Sequence, residues 1–115
     1  MMKVVVIPAS EEFEAYSTEV ESVEYKFLSD KVGGMIEVVG FRDDQASMYL
    51  NEEGKILGMP QNRRATSLAK RHGAISLMDY IAGDAVVVGP VDEDGEDTGL
   101  EQEQIDVLFK EIGHK

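Results

Sequence analysis

The sequence predicts a single α+β domain, residues 1–115, with a small, mainly antiparallel sheet and helices packed on one face. Three observations lead there. The chain has 115 residues and is 43% apolar, which suits one hydrophobic core. Short β-branched runs are interspersed with segments whose apolar residues recur at helical spacing. The order of these segments is mixed, where a parallel α/β fold would alternate strand and helix regularly.

The elements follow in order. Residues 3–7, KVVVI, form a β-branched run stopped by Pro8, a first strand. SEEFEA is a polar link, and residues 16–21 alternate weakly as a second strand. From Val23 the period changes: Val23, Phe27, Leu28 and Val32 share one helical face, and Gly33-Gly34 closes that helix with a residue free to turn left-handed. MIEVVGF, residues 35–41, is a strand and RDDQA a turn. SMYL and KIL flank NEEG and read as a hairpin with Gly54 at a positive-φ position. After Pro60 a second helix is expected, with Asn62 as N-cap and Gly73 at its end. Residues 75–81 are assigned a helical turn or two. DAVVVG, residues 84–89, is the most strand-like segment, and PVDEDGEDTG a solvated acidic loop. In the last helix Ile105, Leu108, Phe109 and Ile112 share a face, with Gly113 as its cap. Val86, Val88, Leu108, Phe109 and Ile112 are expected in one core.

Composition excludes several chemistries. There is no cysteine, so disulfides, thiolate zinc sites and cysteine nucleophiles are out, and a reducing cytoplasm is the expected setting. No apolar run reaches the roughly 20 residues of a membrane span, and the N-terminus reads as a strand and not as a signal peptide. The net charge of −12 repels nucleic acid and anionic membranes alike. The two histidines, His72 and His114, show no zinc-peptidase spacing. The acidic run DEDGED resembles a calcium loop, but the register places Pro90 where the first side-chain ligand belongs. No phosphate-binding glycine loop is present. No base and nucleophile pair, metal site or cofactor motif can be read, so a non-enzymatic role is expected.

One local feature breaks the acidic pattern. The nineteen residues 55–73 hold five of the eleven lysines and arginines and no aspartate or glutamate. With Asn62 capping a helix, Arg63, Arg64, Ser67, Lys70 and Arg71 project mostly outward, and Ala65 and Leu68 face the core. Two readings stay open. An arginine holds the fold by bridging loop carbonyls, or the helix N-terminus with its arginines binds an anion such as a phosphate of a small ligand. The acidic clusters, Glu11, Glu12, Glu14, Glu19, Glu21 and Glu24 and eight acids within residues 92–106, are ordinary solubilising surface or mimic the charge of nucleic acid to inhibit a protein that binds it.

NEEGKILGMPQNRRAT, followed by IAGDAVVVG and an acidic loop, and preceded by VGGMIEVV, resembles the domain of unknown function 3846 family, small uncharacterised proteins of bacteria, archaea and their phages. The resemblance spans roughly residues 32–108. It carries no catalytic residue, and it implies an accessory role, phage-derived and directed at a host or defence protein. The binding candidates Asn51, Asn62, Arg63, Arg64 and Thr66 all fall within its first block. The expected partner is a protein, with an anionic small ligand as the alternative. Homodimerisation through an exposed edge at KVVVI is a further expectation.

Overall fold

The computed structural model describes residues 1–113, and His114 lies outside them. Five strands form one antiparallel sheet: β1 (Met2–Ile7), β2 (Tyr16–Val20), β3 (Ile36–Gly40), β4 (Ser47–Asn51) and β5 (Ala85–Val88). Their order is β2-β1-β5-β4-β3. Three helices complete the described chain: α1 (Tyr25–Val32), α2 (Arg63–Arg71) and α3 (Gln102–Glu111). This is the small α+β fold with an antiparallel sheet that the sequence predicts.

The helices, however, cover both faces of the sheet. On one face Val5, Ile7, Met48, Ala85 and Val87 meet Ala65, Leu68 and Ala69 of α2 and Ile105, Leu108 and Ile112 of α3. On the other, Val4, Val6, Val86 and Val88 meet Leu28 and Val32 of α1. The cause lies in the central strands. All four residues of β5 and the last four of β1 are buried, so alternate side chains of each point to opposite faces and both must be covered. Val86 and Val88 therefore belong to the α1 side, and Leu108, Ile112 and the half-buried Phe109 to the other. β1 is interior, paired with both β2 and β5, so the edges fall to β2 and β3 and not to KVVVI.

The expected hairpin also moves. SMYLN forms β4, but its partners are β3, with Val38 opposite Tyr49, and β5, with Met48 opposite Val87. KIL forms no strand. Leu57 N–H donates to the Glu53 carbonyl at 2.8 Å and Met59 N–H to the Gly54 carbonyl at 2.9 Å, closing residues 53–59 into a series of turns. Gly54 is not left-handed; a Cβ there would stand 2.8 Å from the Ala82 carbonyl oxygen, so it is close approach that favours glycine. Residues 75–81 form bends and turns and no helix.

The acidic loop after β5 is anchored from two sides. Leu100 N–H donates to the Lys3 carbonyl at 2.7 Å, an approach so close that a Cβ on Gly99 would lie 2.7 Å from the Lys3 nitrogen. The Tyr49 hydroxyl donates to the Asp97 carboxylate. Burial first, and then this carboxylate, push the tyrosine's pKa above its ordinary value of 10.0.

Two predictions follow from this layering. Leu28→Ala should cost about 2–5 kcal/mol and Ile105→Val about 0.5–1.5 kcal/mol. Because the sheet separates the two sites, the double variant should equal their sum within about 0.5 kcal/mol in denaturant unfolding. Tyr49 stays protonated in the folded chain beyond the pH at which an unfolded tyrosine ionises. Its contribution is therefore complete below about pH 10 and is lost as pH rises further. The stability advantage of the natural chain over Tyr49→Phe should be flat from pH 7 to 9 and shrink above pH 10.

Candidate functional site

The five sequence candidates lie around the start of α2 and the end of β4, and four are engaged with the chain's own backbone. Asn62 is fully buried. Its Oδ1 accepts from Ala65 N–H at 2.9 Å, the N-cap bond that satisfies an unpaired donor of the first turn. Its Nδ2 donates to the carbonyls of Ile7 at 2.8 Å and Gly83 at 3.0 Å. One side chain thus ties the end of β1, the approach to β5 and the start of α2. The Thr66 hydroxyl accepts from Ile81 N–H at 2.9 Å. Asn51, at the end of β4, donates to the Val32 carbonyl at 3.2 Å and accepts from Glu53 N–H at 2.7 Å, joining α1 to the turn that follows β4.

The sequence had both adjacent arginines projecting mostly outward, but Arg64 turns inward because backbone carbonyls of the β1–β2 loop receive it. Arg64 is 6% exposed, and its guanidinium donates to the carbonyls of Pro8, Ser10 and Phe13 at 2.7, 3.1 and 2.8 Å. It holds the loop between β1 and β2 onto α2. Arg63 keeps a side chain 78% exposed, with Glu11 3.8 Å away. Both border an open depression of about 350 Å³ shared with Glu11, Ser67, Glu111 and Ile112. Two carboxylates there stand against the two guanidiniums, which weakens its field for an anion.

Lys55, the first cation of the basic stretch, bonds Asp79 and lies over the Tyr80 ring, 4.6 Å from its centre. This exposed pair contributes about 0–1 kcal/mol, but it joins two loops, residues 52–59 and 75–82. Just past the first loop, a Gln61–Ala82 bridge ties the chain to the second. Between the loops lies a cavity of about 250 Å³ bordered by Val39, Ile56, Ile75 and Tyr80, with Glu37, Glu52 and Asp79 among its polar groups. The same two loops present large apolar side chains to water: Ile56 is 85% exposed, Leu57 60%, Leu77 77% and Met78 93%. The sequence assigned Ile56 and Leu57 to a strand and Leu77 to a helix, where burial would have hidden part of this surface.

A second cavity, also about 250 Å³, lies where α3 passes the 41–46 turn and the end of α2, bordered by Phe41, Ala46, His72, Leu100, Val107 and Leu108 among others. His72 stacks on Phe41 with ring centres 4.5 Å apart and planes 6° from parallel. Its Nε2 lies 2.7 Å from Glu111 Oε1. His72 is the C-cap of α2; its partners Phe41 and Glu111 carry no local signal in the sequence. Among the described residues no three of His, Cys, Asp and Glu come together to hold a metal ion, and no helix is long and apolar enough to cross a membrane.

The arginines supply the test of this geometry. Arg64→Ala leaves three backbone carbonyls without their donor and should cost about 2–4 kcal/mol. Arg63→Ala should stay within about 0.5 kcal/mol of the natural chain. Thermal unfolding of the two variants side by side checks both.

Comparison with curated proteins and with solved structures finds no match. A family model described as "Domain of unknown function (DUF3846)" matches residues 2–113. The match takes in β1 and β2, which lie outside the blocks that carry the resemblance in the sequence. The chain belongs to the domain of unknown function 3846 family.

Proposed function

We propose that this chain is a non-catalytic accessory protein that acts by binding another protein through the paired loops 52–59 and 75–82. The observation that carries this reading is the exposure of Ile56, Leu57, Leu77 and Met78 on loops that Lys55 and Asp79 join. Single exposed apolar residues are common on soluble proteins, whereas groups of large ones rimmed by polar residues mark interaction surfaces. The rim here is acidic. Glu37, Glu52 and Asp79 border the cavity between the loops, with Lys55 as the cation among its lining residues. A fitting partner therefore has an apolar centre, a side chain to fill a cavity of about 250 Å³, and basic groups around it. Such a pattern concentrates binding energy in a few central residues while the charged rim speeds encounter. The phage-linked, host-directed setting implied by the resemblance, and the cytoplasmic one expected from the lack of cysteine, belong to this reading.

The anion-binding alternative at Asn62, Arg63 and Arg64 rests on Arg63, because the other two already bond the backbone. With Glu11 beside it, Arg63 offers one partly neutralised cation, a weaker basis than the loop surface.

The test is affinity capture from the protein's source cells, repeated with Ile56→Asp and Met78→Asp. A protein retained by the natural chain should be lost with either variant, by tenfold or more, and kept by the control Val91→Asp in the acidic loop. Both loop variants should unfold at the same denaturant concentration as the natural chain. Equal retention by all four proteins would overturn the assignment.

A further inference from the structure

The cavity at the Phe41–His72 stack is independent of the loop surface, sharing no lining residue with the cavity between the loops. Its walls have two characters. The apolar part consists of Phe41, Ala46, Leu100, Val107 and Leu108, and all but Val107 are buried. The polar part holds Asp43, Glu103 and Glu111 beside His72, Gln45 and Gln104, with no lysine or arginine among the lining residues. On α3, Glu103, Val107 and Glu111 are spaced by four residues and so share one helical face. A carboxylate thus stands one turn to either side of an exposed valine. Glu111 is held toward the cavity by His72 at 2.7 Å, with both side chains largely buried.

The opposite wall is set in place by backbone bonds. Arg42 N–H donates to the His72 carbonyl at 2.8 Å and Phe41 N–H to the Ala46 carbonyl at 2.9 Å. Gln104 spans the gap, its Nε2 donating to the Gln45 carbonyl at 3.1 Å and its Oε1 accepting from Glu101 N–H at 2.8 Å. The two walls are therefore fixed relative to each other without a ligand, which lowers the ordering cost of binding.

We propose that this cavity binds a small organic cation, a flat apolar group carrying one ammonium. The size fits: a cavity of about 150 Å³ lined by apolar side chains accepts a benzene ring, and the volume here, about 250 Å³, leaves room for a short alkylammonium tail. The chemistry fits as well. The ring lies against Phe41, Leu100 and Leu108, in the offset or edge contacts that aromatic groups favour. The ammonium reaches Glu103 or Asp43, both exposed at the mouth, where water screens the attraction to a modest but favourable one. An anion of the same shape meets the carboxylates of Asp43 and Glu103 and is disfavoured, Glu111 being engaged by His72.

Phenethylammonium is the probe, titrated into ¹⁵N-labelled protein and followed by amide chemical shifts. Saturable shifts are expected at Phe41, Ala46, Gln104, Val107 and Leu108, with a dissociation constant of about 1 mM or tighter. Phenylacetate, with the same ring and the opposite charge, should bind at least tenfold more weakly, and so should butylammonium, which has the charge without the ring. Glu103→Gln should weaken phenethylammonium about three- to tenfold, while Glu19→Gln on β2 should leave it unchanged. Glu103 is exposed at the mouth, so its variant should keep the fold, and its unperturbed amide spectrum checks this. Shifts spread over the acidic surface, equal affinity for phenylacetate, or no saturation by about 10 mM would each overturn the proposal.

Discussion

A single buried amide holds this architecture together. Asn62 stands where β1 ends, where the chain approaches β5 and where α2 begins, and it bonds all three. A buried polar group that loses its partner costs about 1–3 kcal/mol, so the loss of this one amide would be felt at three places. Its position also fixes the angle at which α2 meets the sheet, which decides how Leu68 and Ala69 enter the core. Arg64, two residues further along, repeats the strategy at a longer reach. Its guanidinium gathers the carbonyls of Pro8, Ser10 and Phe13, giving an otherwise irregular loop a fixed course. A planar fork with several donors suits this task where an ammonium does not.

These bonds change the meaning of the basic stretch. Its five cations look from the sequence like a patch awaiting an anion. In the fold, Arg64 is directed inward to carbonyls, Lys55 is joined to Asp79 and Arg63 stands near Glu11. The excess of positive charge in the sequence is thus dispersed over three different surroundings. Linear charge density is a poor guide to surface potential when the side chains leave in different directions.

Much of the fold was legible because its signals are local. The strands at KVVVI, MIEVVGF and DAVVVG, the cap at Asn62 and the closing glycine at Gly33 each depend on a few neighbouring residues. The two-sided cover was present in the sequence too, in runs of consecutive apolar residues where a one-sided sheet would alternate. Strand pairing was not legible. KIL follows SMYL closely enough to suggest a hairpin, yet β4 finds better partners in β3 and β5, and non-local packing overrides the local pattern. Of the candidate site residues, the sequence read Asn62 as the N-cap it is, but it had Arg64 projecting outward with Arg63 and could not tell which of the two holds the fold. Which of two adjacent side chains turns inward depends on the loop between β1 and β2, some fifty residues away. The Phe41 cavity was hidden for the same reason: His72 and Glu111 are 39 positions apart.

The two proposed surfaces meet opposite ends of one helix. Thr66 and Asn62, at the start of α2, bond Ile81 and so carry the 75–82 loop. His72, at its end, stacks in the Phe41 cavity. Nine residues of helix separate them by about 13 Å, close enough for a shift of α2 to be felt at both. Coupling between distant sites requires an element with two arrangements that each ligand biases. α2 is poorly suited to that role. Sliding it would break the bonds of Asn62 and Arg64 together and pull Ala65, Leu68 and Ala69 from the core. The helix acts as a fixed spacer, so a cation in the Phe41 cavity and a protein on the loops are expected to bind without altering each other's affinity.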